Sequence, residues 1–316
     1  GAEESADNFD PFPFDPAEID FLILTHAHVD HSGLIPKLVK DGFKGDIFAT
    51  PATADLARIM LLDSAHIQET EAEWRLRKAR RAGRSVRDPL YTRVDAERAN
   101  RLFRPVRYGE EFEPCAGLRA RFSDAGHILG SAFTELWLTE GGEEVKLVFS
   151  GDVGQPGQPI IRDPEPISEA DLLIMEATYG DRRHDEEGEP IEMLGNVVEQ
   201  AQSSGGNVII PSFAVGRTQE VIYFLRDLYQ KHNVTMPVYV DSPLAQEATA
   251  VYRRHREAFD AEALEILDDN GSIFNFPYLH YTQSADESRA LNGRAGIVII
   301  SASGMAEAGR IKHHLK

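Results

Sequence analysis

The sequence predicts an α/β protein built from two parts. Short apolar runs typical of strands alternate with helical stretches along most of the chain. The length of 316 residues exceeds what one ordinary core accommodates, which favours two domains or one domain with a large insert. In the second half, strands predicted at 207–211, 238–240 and 297–301 favour a parallel sheet with helical crossovers. The helices around them are predicted at 191–202, 218–230, 244–259 and from residue 307 onward.

The first half contains shorter elements, several of which end in polar residues. A strand is predicted at 20–25 and a helix at 32–40. Thr50 and Pro51 predict the start of a long helix, because threonine caps helices and proline is favoured at the first helical position. A short helix is expected at 96–103. Further strands are predicted at 105–108, 118–123, 132–139, 145–150 and 171–176.

The composition is ordinary for a globular protein, with 42% apolar and 27% charged residues. The longest apolar runs are too short to cross a bilayer, and no basic-then-apolar leader opens the chain. The single cysteine, Cys115, excludes an internal disulfide framework. We therefore expect a cytoplasmic protein with no membrane partner.

The charge of the chain is unevenly distributed. The formal net charge is −19, which is unfavourable for a protein that binds nucleic acid. Residues 75–107, however, contain twelve basic and only three acidic side chains. This segment predicts either a local basic face that holds a polyanion or a solvated helical surface whose arginines pair with acids elsewhere. A further charged stretch, residues 181–189, is expected to link the two parts.

The most informative segment joins the first predicted strand to the first predicted helix. It places His26, His28, Asp30 and His31 within six residues. Side chains two positions apart in an extended chain point to the same side, so His26 and His28 can reach one metal ion. The turn into the helix can direct Asp30 and His31 toward a second point nearby. Imidazole and carboxylate ligands together favour zinc, with iron or manganese as alternatives.

Two later segments have a similar form, in which a strand is followed by a ligand-type residue among glycines. His127 has glycines at positions 126 and 130, and Asp152 has glycines at positions 151 and 154. Glycine lets the backbone approach a metal ion or a substrate phosphate closely. We therefore predict that His127 and Asp152 join the first cluster, with Asp152 as the bridging carboxylate.

Together, these segments resemble the metal-binding motifs of the metallo-β-lactamase superfamily. Residues 175–180, Met-Glu-Ala-Thr-Tyr-Gly, resemble the first motif of the β-CASP nucleases within that superfamily. Residues 211–220 and 301–305 resemble segments of the domain inserted in that family. By pattern, the chain is similar to bacterial and archaeal RNA-processing proteins. These in turn are similar to the endonuclease subunit of the cleavage and polyadenylation specificity factor.

The resemblance implies a metallo-β-lactamase αββα sandwich at residues 1–180 and an inserted β-CASP α/β domain of mainly parallel strands at 181–316. It also implies two zinc ions per chain. One ion is assigned to His26, His28 and His127, the other to Asp30 and His31, with Asp152 bridging them. Family members have strands before the first histidine motif and two histidines after the insert. We therefore expect an internal portion of a longer protein, with its second metal site one ligand short.

This assignment predicts a metal-dependent ribonuclease, endo- or exo-acting, that hydrolyses phosphodiester bonds of single-stranded RNA with a hydroxide bridging the two ions. By resemblance, a glutamate in the 175–180 motif organises proton delivery to the leaving oxygen. The resemblance also implies a homodimer. The predicted catalytic residues are Asp30, Asp152 and Glu176. The predicted phosphate-binding residues are Ser212, Arg217 and Ser303.

Two other functions fit parts of the sequence. A small-molecule hydrolase, such as a thioesterase or lactonase, uses the same kind of metal core, and a non-catalytic RNA-binding or scaffold subunit uses the same fold. The second predicted domain, with Arg217 in place, argues against the small-molecule enzyme. The complete set of expected ligands in the covered segments argues against the scaffold. Metal content discriminates between them, because a scaffold should bind little or none.

Overall fold

The chain divides into two compact units in the computed structural model. The structure describes residues 7–80, 87–182, 190–231 and 234–316. The first unit comprises Gly1–Gln155 and Asp163–Glu176, and the second comprises Pro156–Arg162 and Ala177–Lys316. The assignment of 1–180 and 181–316 to two named domains stays a prediction. Residues 183–189 of the predicted linker lie outside the described part of the chain.

The first unit contains a parallel sheet of three short strands. These are β1 (Phe21–Ile23), β2 (Asp46–Ala49) and β3 (Phe103–Pro105), in that order. Both strand pairs are parallel, so the three carboxyl ends lie at one edge of the sheet. The strand predicted at 105–108 is wrong in position, because the pairing with β2 ends at Pro105.

The helices of the first unit follow the predicted order with shifted boundaries. They are α1 (Val29–Ser32), α2 (Ile35–Lys40), α3 (Pro51–Arg80) and α4 (Arg93–Asn100). The helix predicted at 32–40 is divided, because Pro36 favours the first turn of a new helix. The cap predicted at Thr50 is confirmed, since its Oγ1 accepts from the Thr53 N–H at 3.2 Å. A capping box between Thr92 and Asp95 starts α4 earlier than the predicted residue 96.

A second, larger sheet completes the first unit. Its strands, in spatial order, are β4 (Glu111–Cys115), β5 (Leu118–Asp124), β6 (Ala132–Glu140), β7 (Glu143–Phe149) and β8 (Leu172–Ile174). The strands β4 to β7 are antiparallel, and β8 runs parallel to β7. The sequence prediction missed β4, because two glutamates and Pro114 weaken its strand signal.

Aromatic side chains join the two sheets. Phe48 of β2 stacks on Phe112 of β4 with ring centroids 4.9 Å apart, and Phe112 lies 5.3 Å from Phe122 of β5. Phe122 is fully buried. Burying one such side chain contributes about 1.5–3 kcal/mol. The two sheets therefore pack face to face as a sandwich, which agrees with the predicted layers of the first domain.

The second unit is built around a fully parallel sheet. Its strands are β9 (Val208–Pro211), β10 (Val238–Asp241), β11 (Leu279–Tyr281) and β12 (Val298–Ser301), in the spatial order β11-β10-β12-β9. Residues 298–300 of the central strand β12 are buried, as expected for a strand covered on both faces. The predicted parallel sheet is confirmed, and the carboxyl ends of all four strands share one edge.

Two predicted helices of the second unit have clearly different bounds in the structure, and two further helices were not predicted. They are α5 (Pro190–Ser204), α6 (Arg217–Lys231), α7 (Pro243–Arg254), α8 (Ala261–Asn270), α9 (Ala285–Leu291) and α10 (Ile311–His314). The helix predicted at 244–259 ends at Arg254, and Asp260 then caps α8 by accepting from the Ala263 N–H at 2.7 Å. The helix predicted from 307 begins only at Ile311, because Gly309 has a positive φ of 76°.

None of the helices described in the structure combines the length and the apolar character that a membrane crossing requires.

Candidate active site

The loop between β1 and α1 lies at the carboxyl edge of the first sheet, and its backbone is fixed by hydrogen bonds. The Ala132 N–H of β6 donates to the Thr25 carbonyl at 2.9 Å. The Ser32 hydroxyl of α1 lies 2.9 Å from the Ala27 carbonyl and 3.0 Å from the His28 carbonyl. The helix that contains Asp30 and His31 therefore holds the loop that carries His26 and His28.

The imidazole of His26 is completely buried. Its Nδ1 lies 3.2 Å from Oγ1 of Thr25. Its Nε2 has no hydrogen-bond partner among the described residues, and the nearest carboxylate oxygen, Oδ2 of Asp152, is 3.6 Å away. A buried polar atom without a partner costs about 1–3 kcal/mol. Coordination of a metal ion by Nε2 explains why this atom is buried.

His28 and His127 bring two ring nitrogens together. Nδ1 of His28 lies 3.2 Å from Nε2 of His127. The His127 loop is held by Ser131, whose Oγ accepts from the His127 N–H at 2.9 Å. The Thr50 hydroxyl anchors the same loop by donating to the Gly130 carbonyl at 2.6 Å. Two such nitrogens hydrogen-bond only in complementary tautomers, whereas both can bind one metal ion as neutral imidazoles.

Asp152 lies in a loop that only glycines allow to pack so closely. Gly151 has a positive φ of 57°, and a Cβ there would lie 2.7 Å from Cβ of Thr25. A Cβ at Gly154 would lie 1.6 Å from the carbonyl oxygen of Gly126. These contacts bring the loop after β7 against the histidine loops, as the glycine spacing predicts.

The two carboxylate oxygens of Asp152 face different histidines. Oδ2 lies 3.6 Å from Nε2 of His26 and 3.4 Å from Nε2 of His127. Oδ1 lies 3.2 Å from Nε2 of His31. Oδ2 of Asp30 is 3.6 Å from that same nitrogen, and the Asp30 side chain is 73% exposed. The structure thus gathers all six predicted ligands around Asp152 and His31.

The electrostatic environment keeps the central histidines neutral. Burial, followed by the charges of neighbouring histidines, lowers the pKa of His26 to about 2. Burial and His127 lower the pKa of His28 to about 4. Burial also lowers the pKa of His127, although Asp152 and Glu176 oppose this change. Neutral imidazole is the form that binds metal ions, so these three residues are ready to act as ligands at neutral pH.

A single metal ion can be reached by four of these side chains. One ligand atom from each lies within 4.8 Å of the others, and the four residues are His26, His28, His127 and Asp152. Three imidazole nitrogens with one carboxylate oxygen form a donor set that suits zinc and related transition metals. The donor set and the unpartnered nitrogen of His26 both fit a bound metal ion.

Comparison with known proteins agrees with this geometry. A model of the metallo-β-lactamase superfamily matches residues 10–97, and a model of the β-CASP domain matches residues 218–316. A ribonuclease from Thermus thermophilus is 36% identical over 316 residues, which cover 99% of this chain and 68% of that ribonuclease. The chain belongs to the metallo-β-lactamase superfamily and contains a β-CASP domain.

Archaeal proteins align with the same β-CASP chain along nearly all of its length. The transcription termination factor FttA of Methanocaldococcus jannaschii is 30% identical, with 98% of this chain and 47% of the factor covered. FttA of Methanosarcina mazei is 29% identical, with 99% of this chain and 48% of the factor covered. The chain therefore spans about half the length of these archaeal relatives.

Glu176, the second residue of the predicted first β-CASP motif, is linked to the Asp152 loop. Its Oε1 accepts a hydrogen bond from the Val153 N–H at 2.6 Å, and its own N–H donates to Oγ of Ser150 at 3.2 Å. These contacts join the end of β8 to the loop that carries Asp152. The geometry shows a positioning contact, and the predicted part of Glu176 in proton delivery stays a prediction.

The three predicted phosphate-binding residues lie at the carboxyl edge of the parallel sheet that the β-CASP domain contains. Ser212, after β9, is buried, and its hydroxyl accepts from Oγ1 of Thr218 at 3.1 Å. Arg217 begins α6, and its side chain is 65% exposed with Nη1 2.8 Å from Oε2 of Glu220. Ser303, after β12, is partly exposed. Ser212 therefore supports the loop in this structure, whereas the other two face solvent.

The basic segment at 75–107 pairs extensively with acids. Among the described residues of this segment, five arginines make ion pairs, namely Arg75 with Glu71, Arg77 with Glu73, Arg93 with Glu97, Arg98 with Asp95 and Arg104 with Asp46. For these five arginines, the structure favours the interpretation of a solvated surface. Residues 81–86 of the segment lie outside the described residues.

Sequence reasoning missed the hydroxyl residues that hold the loops of the predicted metal ligands. Thr25, Ser32 and Ser131 each contact a ligand side chain or the backbone beside one. Their only signal in the sequence is that each lies next to a predicted ligand motif. Hydroxyl residues are common in such loops as turn formers, so adjacency alone does not distinguish a supporting contact from a turn.

Proposed function

We propose that the chain is the catalytic portion of a metal-dependent ribonuclease that hydrolyses phosphodiester bonds in single-stranded RNA. The observation that carries this proposal is the buried cluster around His26, whose Nε2 has no hydrogen-bond partner among the described residues. The ribonuclease name of the Thermus relative supports RNA as the substrate. The predicted cytoplasmic location and homodimer stay predictions.

The proposed metal content is two zinc ions per chain, with manganese or iron as alternatives. The first ion is assigned to His26, His28 and His127, the second to Asp30 and His31, and the bridging position to Asp152. The support for this division is the arrangement of the Asp152 carboxylate. One oxygen is nearest to histidines of the first set, and the other is nearest to His31 of the second set.

Bound metal ions would supply Lewis-acid activation of water and of the scissile phosphate. The carboxylates of the chain would perform the remaining steps. Asp30 is more exposed than Asp152, with side chains 73% and 27% accessible, and we assign it the orientation of the attacking water. Asp152 holds the histidines assigned to the first ion in position. Glu176 accepts a hydrogen bond from the Val153 N–H, and we assign it the delivery of a proton to the leaving oxygen.

The β-CASP part of the proposal concerns substrate binding. Arg217 has an exposed guanidinium, which can donate several hydrogen bonds to a phosphate beyond the one it shares with Glu220. Ser303 adds a partly exposed hydroxyl at the same sheet edge. Ser212 is assigned to the same group of phosphate-binding residues, acting through the loop that it supports. Together they would bind the RNA backbone.

The test is a cleavage assay on the complete protein with a 5′-labelled single-stranded RNA and a DNA of the same sequence. We expect RNA cleavage that stops with a chelator and returns with zinc. The variant Glu176→Gln keeps an acceptor for the Val153 N–H, so bound metal should be unchanged while cleavage falls by about 100-fold or more. The matched control is Glu73→Gln, on the exposed surface of α3, which should cleave as the wild type does.

Three outcomes would contradict the proposal. Hydrolysis of a thioester without cleavage of RNA would favour the small-molecule hydrolase. RNA binding with neither metal nor cleavage would favour the scaffold subunit. Cleavage of RNA by Glu176→Gln at the wild-type rate would remove Glu176 from the proton transfer and leave it as a positioning residue.

A further inference from the structure

The aromatic ring of Phe213 is unusually exposed for a residue whose backbone is so firmly held. Phe213 lies two residues after β9, and 54% of its surface is accessible. Its carbonyl accepts from Oγ1 of Thr218 at 2.7 Å and from the Thr218 N–H at 3.3 Å. Its neighbour Ser212 is tied to β12, because the Ser212 N–H donates to the Ser301 carbonyl at 3.1 Å. The ring is therefore presented to solvent from a fixed backbone.

Gly304, in the loop after β12, makes room for this ring. A Cβ at position 304 would lie 3.0 Å from Cδ2 and 3.1 Å from Cε2 of Phe213, and 3.1 Å from its backbone nitrogen. These distances are tighter than ordinary van der Waals contacts, so a Cβ at position 304 would require the ring to shift by a few tenths of an ångström. The side chain of Met305, which follows, is 68% exposed. One edge of the Phe213 ring thus packs against Gly304, and the surface beside the ring is open to solvent.

Phe213 also differs from three of the other exposed aromatic residues in what its ring contacts. Phe14 stacks on Phe12, with centroids 5.3 Å apart. The rings of Trp74 and Tyr179 lie under the cations of Lys78 and Arg182. Among the described residues, the Phe213 ring makes no comparable stacking or cation contact. An exposed ring on a fixed backbone loses little entropy when a flat partner stacks on it.

The surroundings of the ring indicate the chemistry of that partner. Phe213 lies at the carboxyl edge of a parallel sheet, where ligands of such folds bind. Its loop leads directly into α6 and the exposed guanidinium of Arg217, and the strand beside it leads to Ser303. An aromatic surface combined with groups that bind phosphate is typical of sites for single-stranded nucleic acid.

We propose that Phe213 is a stacking platform for one nucleobase of the single-stranded RNA, with Gly304 shaping the space for its ring. This inference rests on the proposed function and adds a residue that binds a base rather than a phosphate. Because every base has a flat aromatic face, the platform would bind RNA of any sequence.

The test measures the affinity of the complete protein for a single-stranded oligoadenylate of about 12 nucleotides, in EDTA so that no cleavage occurs. We expect Phe213→Ala and Phe213→Leu to weaken binding by about 5- to 150-fold, because both remove the stacking face. Phe213→Tyr keeps that face and should bind within about twofold of the wild type. The matched control is Phe14→Ala in the first unit, another exposed phenylalanine, which should bind as the wild type does.

A second probe separates stacking from a merely structural effect. An oligomer of the same length with the bases removed retains its phosphates but offers no flat face. The wild type should bind this oligomer as weakly as Phe213→Ala binds oligoadenylate. Phe213→Ala should bind the oligomer without bases with the same affinity as the wild type does. Gly304→Ala should reproduce part of the defect, because the added Cβ pushes the ring out of its place.

The outcomes distinguish the two proposals. Failure of the wild type to bind or cleave RNA would overturn both the proposed function and the platform. Normal RNA binding and cleavage by the wild type, with unchanged affinity in Phe213→Ala and Phe213→Leu, would overturn the platform alone. An equal loss of affinity for the oligomer without bases would also overturn it, since the effect would then not depend on stacking.

Discussion

Each unit of the chain contains a cluster of histidine and aspartate around a buried residue, and the two clusters differ in how their polar atoms are paired. In the first unit, the Asp152 carboxylate lies 3.4–3.6 Å from His26 and His127, and Nε2 of His26 has no hydrogen-bond partner among the described residues. In the second unit, Oδ2 of Asp241 lies 2.7 Å from Nε2 of His314. The other ring nitrogen of His314 is 2.6 Å from Oδ1 of Asn292.

The Asp241 carboxylate is completely buried and accepts hydrogen bonds on both oxygens. Oγ1 of Thr282 and Nη1 of Arg310 donate to Oδ1 at 2.6 and 2.7 Å. The Ser288 hydroxyl donates to Oδ2 at 2.6 Å, in addition to the contact with His314. The Ser301 hydroxyl donates to the backbone carbonyl of the same aspartate at 2.9 Å. These contacts tie β10, β12, α9 and α10 together beside the edge that carries Phe213.

The pairing of buried polar atoms separates a ligand site from a structural cluster of the same composition. A cluster whose donors and acceptors match one another needs nothing further, and its role is to fix the fold. A buried cluster of neutral imidazoles that leaves a nitrogen unpaired is stable only with a ligand that accepts nitrogen lone pairs. By this criterion, we expect His26 to bind a metal ion and His314 to have a structural role.

The largest expected effect concerns the stability of the second unit. Replacing Asp241 by alanine leaves Arg310, His314 and two hydroxyls buried without their acceptor, so we expect a loss of about 3–5 kcal/mol in the free energy of unfolding. Urea denaturation measures this loss. The control is Asp268→Ala, whose exposed carboxylate pairs with Arg256 at the surface and should cost less than about 1 kcal/mol. Equal effects of the two substitutions would contradict the structural role of the cluster.

The pH dependence of stability provides a second test of the Asp241 cluster. Burial alone would raise the pKa of Asp241, but hydrogen bonds from Ser288, Thr282, His314 and Arg310 outweigh it and hold the pKa below its ordinary value. The folded state thus binds the proton more weakly than the unfolded state. The stabilisation is present at neutral pH and is lost as pH falls below about 4, through the lowered pKa.

Denaturation of the wild type and of Asp241→Ala at several pH values tests this expectation. The stability difference between them should stay constant from about pH 8 to 5 and shrink below about pH 4. A difference that shrinks as pH rises from neutral instead would show that another group dominates the cluster.

A smaller effect is expected at the residue that orients His26. Thr25→Val removes the hydroxyl beside Nδ1 while keeping the shape of the side chain. Such partners of metal-binding histidines typically contribute 10- to 100-fold to metal affinity, so we expect a loss of about this size. Competition with a zinc-binding dye measures it. Unchanged zinc affinity in Thr25→Val would argue that Nδ1 rather than Nε2 faces the metal.

The smallest effect is expected at the surface of α3. Glu73 lies 3.9 Å from Arg77, and both side chains are more than 70% exposed. Because water screens such a pair, Glu73→Gln should change the free energy of unfolding by less than about 0.5 kcal/mol. Urea denaturation of Glu73→Gln, in parallel with that of Asp241→Ala, measures this change in the free energy of unfolding. A loss of more than about 1 kcal/mol would show that α3 depends on its ion pairs.

The metal cluster was predictable from the sequence because its residues are concentrated in motifs. Four ligands lie within six residues, and His127 and Asp152 each lie among glycines after a strand. The structure places all six close together. The parallel sheet of the second unit was predictable for a similar reason, since apolar strands alternate regularly with helices there.

The Asp241 cluster was not predictable, because its members are spread over more than seventy positions and none forms a motif with its neighbours in sequence. Asp241 and His314 meet only after two helical crossovers have formed. The elements missed in the same region, α8, β11 and α9, are short, and their ends are set by local caps such as Asp260. Weak signals of this kind are decided by tertiary packing rather than by periodicity.

The most direct test of this account is the metal content of three folded proteins after extensive dialysis: the wild type, Asp152→Ala and Asp241→Ala. Elemental analysis at a temperature where each protein is folded gives the bound transition metal per chain. We expect bound metal in the wild type and in Asp241→Ala, and its loss in Asp152→Ala. Absence of metal from the folded wild type, or its retention in Asp152→Ala with loss in Asp241→Ala, would contradict the assignment of the two clusters.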